Sequence, residues 1–294
     1  MIEDKKVAIG LGCVTFGREI DQQCAFSMMD YALSCDIKLF DTASAYHHGA
    51  SESIIGSWLA SRQPAQSQVL VATKVSPPYS SESIIGSIDE SLKRLGRDTL
   101  DIFYLHSWDD SAKNLEVLRT LDRCVKQGKA IALGASNFTA DQLEEVIQLQ
   151  QLNGLMSFKY IQNNHNFAVS DITTKLINIC SINQIEIVTY SPLGAGFLTG
   201  KYTNGVPEDS RFSVVTGHQD IYFTDQALKK CEWLRKVSHL TGYSMGFLAM
   251  SWALHQSEVK YVLVGGRSPE QLEMAVIAQE FYDKDIFKAL NIYF

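Results

Sequence analysis

The chain has 294 residues, with 26 Lys and Arg against 33 Asp and Glu, a formal charge of −7 and a hydrophobic fraction of 46%. That length buries a sizeable core and suits either two ordinary domains or one barrel, while a mildly acidic balance with scattered cations argues against a nucleic-acid surface. No apolar run follows the charged N-terminus, and no stretch approaches about 18 uninterrupted apolar residues, so a soluble, non-exported, cytoplasmic protein with no membrane contact is expected.

"VAIGLG" at 7–12 reads as the first strand. The glycines of "GLGCVTFG", Gly10, Gly12 and Gly17, miss the GxGxxG spacing of a dinucleotide-binding turn, and no obvious helix begins beside them. "IKLFD", ending at Asp41, and "VLVATK", ending at Lys74, are short apolar runs without strict alternation, as in strands buried on both faces. Each leads through a loop into a predicted helix that opens on the same string, SESIIGS, at 51–57 and again at 81–87. Ser51 and Ser81 are candidate caps for free N–H groups, and Glu52 and Glu82 put negative charge in the first turn. Ile54, Ile55, Trp58 and Leu59 form the predicted inward stripe of one helix, and Ile84, Ile85, Ile88 and Leu92 that of the other. The repeat is therefore a helix start used twice, and neither copy is a site.

"DIFYLHS" supplies a strand at 102–105, followed by a helix over "NLEVLRTLDRCVKQG" closed by Gly128. "AIALGAS" precedes a helix near 140–150, "FKYIQ" one near 172–182, and "IEIVTYS" is the seventh strand. The stretch 192–222, rich in Gly, Thr, Asp and Ser, is too long for a bare connection. Predicted helices at 224–240 and 244–255 lead into "KYVLVGG", and a last helix starts near Pro269. Eight strands alternating with helices predict an α/β protein, a closed (β/α)8 TIM barrel forming one domain over 1–294. An open doubly wound sheet is the competitor, and it lacks its glycine fingerprint. The six cysteines, at 13, 24, 35, 124, 180 and 231, form no CxxC pair and read as small buried hydrophobes in a reducing compartment.

Chemistry in a barrel gathers at the C-terminal strand ends. There the second strand delivers Asp41, with Tyr46 just beyond, and the third delivers Lys74. The fourth delivers His106, the fifth Ser136 and Asn137, the sixth Gln162, and the seventh Tyr190 and Ser191. Singly, Asp41 fits an Asx turn and His106 a structural histidine. Together they put ionisable and amide groups at one rim. Lys74 closes an apolar run where a bare ammonium is costly, and Asp41 on the neighbouring strand is its natural partner. A nearby ammonium favours the Tyr46 phenolate and pulls its pKa toward neutrality, which suits a proton donor. His47, His48 and His165 share no obvious acidic ligands, and no metal is expected.

The ordered set "GLGCVTFG", "FDTASAY" with "GASESIIG", "VATK", "LHS", "GASNF", "QNNHN", "YSPLGAGFLTGKY" and "GGRSPEQLE" spans nearly the whole chain and closely resembles the aldo/keto reductase superfamily. The resemblance implies a catalytic tetrad of Asp41, Tyr46, Lys74 and His106, with NADPH (NADP+), in preference to NADH, lying across the barrel mouth. It implies that Ser136, Asn137 and Gln162 hold the nicotinamide carboxamide and that Tyr190 stacks on the ring. Ser191, Leu193 and Gly194 would approach the pyrophosphate, with Gly265, Arg267, Gln271 and also Ser268 toward the adenosine. The implied reaction is hydride transfer to an aldehyde or ketone, Tyr46 giving the proton, Lys74 lowering its pKa, Asp41 holding Lys74, and His106 orienting the carbonyl. Phe16, His48 and Trp108 are expected to line the mouth, with part of 211–222 as a lid.

The sequence departs from the family pattern in three places. Ala275 stands where an asparagine often reaches the adenine, Gly265 and Gly266 replace a frequent Lys and Ser pair, and His165 replaces a frequent tyrosine. Arg267 is left as the main positive group for a 2′-phosphate, which a guanidinium can bind bidentately. Two rivals remain: a non-catalytic or weakly catalytic cofactor-binding regulatory subunit resembling potassium-channel beta subunits, and a barrel isomerase or aldolase using Lys74 as a Schiff base. The intact four-residue set weighs against the first, and the second leaves Tyr190 and Arg267 without a role. A monomer is the default, and a small-molecule carbonyl compound the only partner expected.

Overall fold

A computed structural model of the chain describes residues 7–203, 205–208 and 210–293. The expected domain over 1–294 thus includes a few positions, 1–6, 204, 209 and 294, that lie outside the described residues. Eight parallel strands close in sequence order: β1 (Ala8–Gly12), β2 (Leu39–Asp41), β3 (Leu70–Val75), β4 (Leu100–Leu105), β5 (Ala130–Ser136), β6 (Tyr160–Asn164), β7 (Glu186–Tyr190) and β8 (Val259–Gly265). β1 pairs with both β2 and β8, which completes the barrel. Strands covered by helices outside and packed side chains inside must be apolar on both faces, the reason the strand segments read as continuous runs. Leu39, Ala72, Ile102, Tyr104, Val188 and Leu263 fill the bore, and the larger core lies between strands and helices.

The surrounding helices are α1 (Gln22–Ser34), α2 (Ala50–Arg62), α3 (Ser81–Leu95), α4 (Leu115–Lys126), α5 (Ala140–Leu152), α6 (Thr174–Asn183), α7 (Arg211–Val214), α8 (Gly217–Tyr222), α9 (Asp225–Thr241), α10 (Met245–Ala253), α11 (Pro269–Glu280) and α12 (Lys284–Leu290). No helix begins beside the first glycines, and α1 starts only at Gln22. It is capped by the Asp21 carboxylate, which accepts from the Cys24 amide at 2.9 Å, and buries Ala25, Met28, Met29 and Ala32. Helix α12 has no counterpart among the expected elements. The long stretch after β7 is structured by α7, α8 and a 3₁₀ segment over Gly194–Thr199. All six cysteines are free; Cys13, Cys124, Cys180 and Cys231 are buried, whereas Cys24 and Cys35 are partly exposed, contrary to the expectation for those two. No described helix is long and apolar enough to cross a membrane.

The two copies of SESIIGS fold as helix starts, but with different faces inward. Neither leading serine is the cap. Gly49 precedes α2 without a side-chain cap bond, and Ser51 is fully buried inside the helix. Before α3 the cap is Ser80, which accepts from the Ser83 amide at 3.1 Å, while Ser81 meets the Thr120 hydroxyl. Glu52 is fully buried and Glu82 exposed. Ile55 is 0% exposed, and its counterpart Ile85, expected inward, is 40% exposed. Gly56 and Gly86 are the sharpest contrast. A Cβ on Gly56 would sit 2.1 Å from the Arg94 carbonyl oxygen at the end of α3, whereas one on Gly86 would meet nothing within 4 Å. Gly56→Ala is therefore expected to destabilise the protein by about 1–3 kcal/mol or more through overpacking. Gly86→Ala should stabilise it by about 0.4–1 kcal/mol by restricting the unfolded chain. Urea midpoints measure both, and shifts of one sign for the pair would contradict this account.

Candidate active site

The ends of β2 and β3 bring a buried carboxylate and a buried ammonium together. Lys74 Nζ lies 2.5 Å from Asp41 Oδ1, 2.7 Å from the Thr42 carbonyl oxygen and 3.4 Å from the Tyr46 hydroxyl. The two charged side chains are 0% and 3% exposed. A pair so desolvated holds only if its remaining hydrogen-bonding capacity is met. Gln162 meets it from β6 across the bore, donating from Nε2 to Asp41 Oδ2 at 2.8 Å.

Tyr46 begins a 3₁₀ turn over Tyr46–Gly49 in which His47 and His48 take left-handed φ values of 47° and 54°. Three strand ends fix this turn from below. Ser51 Oγ donates to the Cys13 carbonyl at 2.8 Å and accepts from Thr42 Oγ1 at 2.8 Å, joining the first turn of α2 to the ends of β1 and β2. Glu52 accepts from Thr73 Oγ1 at 2.5 Å and from Arg94 Nε at 2.6 Å. The Arg94 guanidinium in turn lies under Gly49, where a Cβ would come within 2.7 Å of Nε. Ser51 and Glu52 thus position the tyrosine's turn, a task the sequence hides because the same two letters at 81–82 make a helix start without it.

Burial pushes the Tyr46 phenol above its ordinary value, and the opposing pull of Lys74 does not overcome it. The expected drop toward neutrality is therefore not the net effect in the free protein, and the hydroxyl keeps its proton. Burial works against the Lys74 charge, but Asp41 and Tyr46 outweigh it and hold the ammonium protonated. Burial also lifts Asp41, against Lys74 and Gln162. His106 follows β4 with its ring edge-on to Tyr46 at 5.7 Å between centroids. Burial, then the Lys74 charge, holds its imidazole down to about 3, so it is neutral at physiological pH.

The next strand ends form a second cluster. Asn137, at φ 59°, donates from Nδ2 to the His106 carbonyl at 2.9 Å and to Ser136 Oγ at 3.1 Å, and its Oδ1 accepts from the Tyr190 hydroxyl at 2.6 Å. Ser136 Oγ donates to the Gln162 carbonyl at 2.9 Å. Ser191 and Gly194, at φ 58° and 57°, flank Leu193 in the turn after β7. Gly265 ends β8 opposite Gly12, and Gln271 Oε1 accepts from the Arg267 amide at 2.7 Å. The Arg267 side chain is exposed and makes no ion pair with a described residue. Ser268 precedes α11 without a side-chain cap bond, and Ala275 is fully buried.

Phe16, His48 and Trp108 are the side chains expected at the mouth. Phe16 is fully buried, so its ring presents no surface there. His48 is exposed, and Trp108 is half-buried edge-on to Phe138 at 5.0 Å. The segment 211–222 is anchored: Phe212 and Tyr222 are buried, Phe212 stacks on Tyr202 at 4.1 Å, and the Tyr222 hydroxyl accepts from Asn166 Nδ2 at 3.1 Å. His165 bonds Ser170 through Nδ1 at 2.7 Å and packs on Trp252; burial holds it down to about 4. Among the described residues no three His, Cys, Asp or Glu side chains cluster as metal ligands do.

Tyr190 and Arg267 are the residues that could hold a cofactor. A flat ring pinned through its hydroxyl stands at the end of β7, and a guanidinium with no ion pair among the described residues follows Gly265 and Gly266 at the end of β8. In comparisons with known proteins, the profile of the aldo/keto reductase family matches residues 8–290. A putative voltage-gated potassium channel subunit beta of Schizosaccharomyces pombe is 29% identical over 93% of this chain and 84% of its own length. A probable voltage-gated potassium channel subunit beta of Arabidopsis thaliana is 28% identical over 88% and 83%. L-glyceraldehyde 3-phosphate reductase of Escherichia coli O157:H7 is 30% identical over 84% and 76%.

Proposed function

The chain belongs to the aldo/keto reductase family, and on that premise we propose that it is an NADPH-dependent reductase of an aldehyde or ketone carbonyl, with Tyr46 as general acid. The observation that carries this reading is the contact of one phenol with a buried, carboxylate-held ammonium, Tyr46 hydroxyl to Lys74 Nζ at 3.4 Å. NADPH, when bound, supplies the hydride. As the carbonyl oxygen gains negative charge, Tyr46 hands it a proton, and Lys74 stabilises the phenolate left behind. Asp41 and Gln162 keep Lys74 aimed. Neutral His106 can donate one hydrogen bond to the same oxygen without adding charge to the site. Ser136, Asn137, Gln162 and Tyr190 would hold the nicotinamide, Ser191, Leu193 and Gly194 the pyrophosphate, and Gly265, Arg267 and Gln271 the adenosine end.

The names of the relatives favour a second reading over this one: a cofactor-binding regulatory subunit with little or no turnover, as the potassium-channel beta subunits of yeast and plant would suggest. The complete acid set speaks for the first. Both require a nucleotide site, which titration of tryptophan fluorescence with NADPH and NADH tests. NADPH is expected to bind at least about tenfold tighter, the worth of one charge-assisted contact, and Arg267→Ala should bring the two affinities together. Binding of neither nucleotide would remove the basis of both readings.

A further inference from the structure

Among the described residues, the rim beside Tyr46 carries a positive charge without a full counterpart. The β1–α1 loop lies against the tyrosine's turn, since a Cβ at Gly17 would sit 3.0 Å from Ala50 Cβ and 3.7 Å from the His47 ring. The next two residues are Arg18 and Glu19. Arg18 gives Nε and Nη2 to the Glu19 carboxylate at 2.6 and 2.7 Å. Arg211, at the start of α7, gives the same carboxylate Nη1 at 2.8 Å. Two guanidiniums therefore share one carboxylate, a balance of 2 − 1 = +1 at side chains only 31%, 22% and 17% exposed for Arg18, Arg211 and Glu19.

Arg211 commits only Nη1. Its Nε and Nη2 make no hydrogen bond to a described residue, although the side chain is largely covered. Its charge interacts with the ionised form of Tyr46, which places it within electrostatic reach of the reacting proton. Among the described residues Glu19 is the one carboxylate that pairs with it. His218 stacks on Phe212 at 5.8 Å, and burial followed by the charges of Arg211 and Arg18 holds it below its ordinary value. Asp41 is committed to Lys74 and Gln162. Asp171 acts on Tyr190 and Tyr222.

We propose that Arg211, backed by Arg18 and metered by Glu19, is an anion subsite that selects carbonyl substrates carrying a carboxylate or phosphate group. The selection rests on the reductase reading above, and the subsite itself is a claim about binding. A desolvated guanidinium with free N–H donors matches the planar or tetrahedral oxygens of such a group better than water does. Glu19 holds Arg211 in place in the free protein and gives way in part when an anion arrives. A neutral carbonyl compound of the same shape gains nothing there.

Three aldehydes on one ring test this: benzaldehyde, 4-carboxybenzaldehyde and 4-formylphenyl phosphate. Relative to benzaldehyde, kcat/KM for at least one anionic compound is expected to be about 10- to 100-fold higher, the worth of a charge-assisted contact, and which one it is separates carboxylate from phosphate. Arg211→Met should lower that ratio at least tenfold, Arg211→Lys should restore part of it, and Glu19→Gln should raise it by freeing both guanidiniums. The change of ratio between variants decides, because the anionic substituent also alters the aldehyde's own reactivity. A ratio near one in the wild type, or one untouched by Arg211→Met, overturns the subsite. Calorimetric binding of the three matching alcohols, with and without NADP+, separates the two claims. An anion preference in binding that Arg211→Met removes, with no aldehyde turned over, sinks the reductase reading and keeps the subsite. Turnover with equal binding of all three does the reverse.

Discussion

Tyr46→Phe is expected to lower kcat for carbonyl reduction by about 10²–10⁴-fold, the usual worth of a placed general acid. The substitution removes one oxygen and leaves the ring whose face lies 4.9 Å from Lys74 Nζ, so the surrounding packing persists. Because burial keeps the free protein's phenol protonated above its ordinary range, wild-type kcat/KM for reduction should be flat through neutral pH and fall only on the alkaline side. An imidazole held down to about 3 adds no limb near pH 6–7. Steady-state rates over pH, with NADPH quenching as the check that the site is intact, measure all of this. A variant that keeps wild-type turnover would remove Tyr46 from the chemistry. Wild-type protein that binds NADPH and reduces no carbonyl would transfer the case to the regulatory-subunit reading.

Lys74→Met should cost about 3–5 kcal/mol of stability, because it strands a buried carboxylate rather than because an ion pair is intrinsically strong. Among the described residues, Asp41 would keep only the Gln162 amide at 2.8 Å. Already lifted by burial, its pKa rises further once the ammonium is gone. Its folded value then lies above its unfolded value of about 3.9. Between the two the folded state binds more protons, so the variant loses stability as pH rises and recovers it in acid. Adding Asp41→Asn should return part of the loss by removing the second charge. Urea unfolding of the single and double variants at mildly acid and neutral pH gives the comparison. A loss independent of pH, or a double variant worse than the single, would refute the stranded-charge explanation.

Several features of the molecule are legible without coordinates. Unbroken apolar runs such as "VLVATK" and "DIFYL" specify strands buried on both faces, and their alternation with helical periods leaves little but a closed barrel. Once the strands are known, so is the set at their C-terminal ends, because Asp41, Lys74, His106, Ser136 and Tyr190 lie at the strand ends or one step beyond. Local pattern carries that information, since a strand's length and its exit point depend on a handful of neighbouring residues.

What pattern cannot carry is which face of an element meets which distant group. The string SESIIGS predicts two equal helices, yet one buries Glu52 under an arginine 42 positions away and the other leaves Glu82 in solvent. Phe16 is as plausible at a mouth as in a core until the barrel is closed around it. The Arg18, Glu19 and Arg211 group joins residues 192 apart in the chain, with no shared motif to announce it. The Tyr46 titration also depends on a contest between burial and Lys74, which composition does not weigh. The sequence by itself determined the strand order, the barrel and the residues at its rim, because these follow from short-range periodicity. Only the tertiary structure decided which charges are desolvated, which pairs they form and what charge the rim keeps, because those energies depend on distance through space and not along the chain.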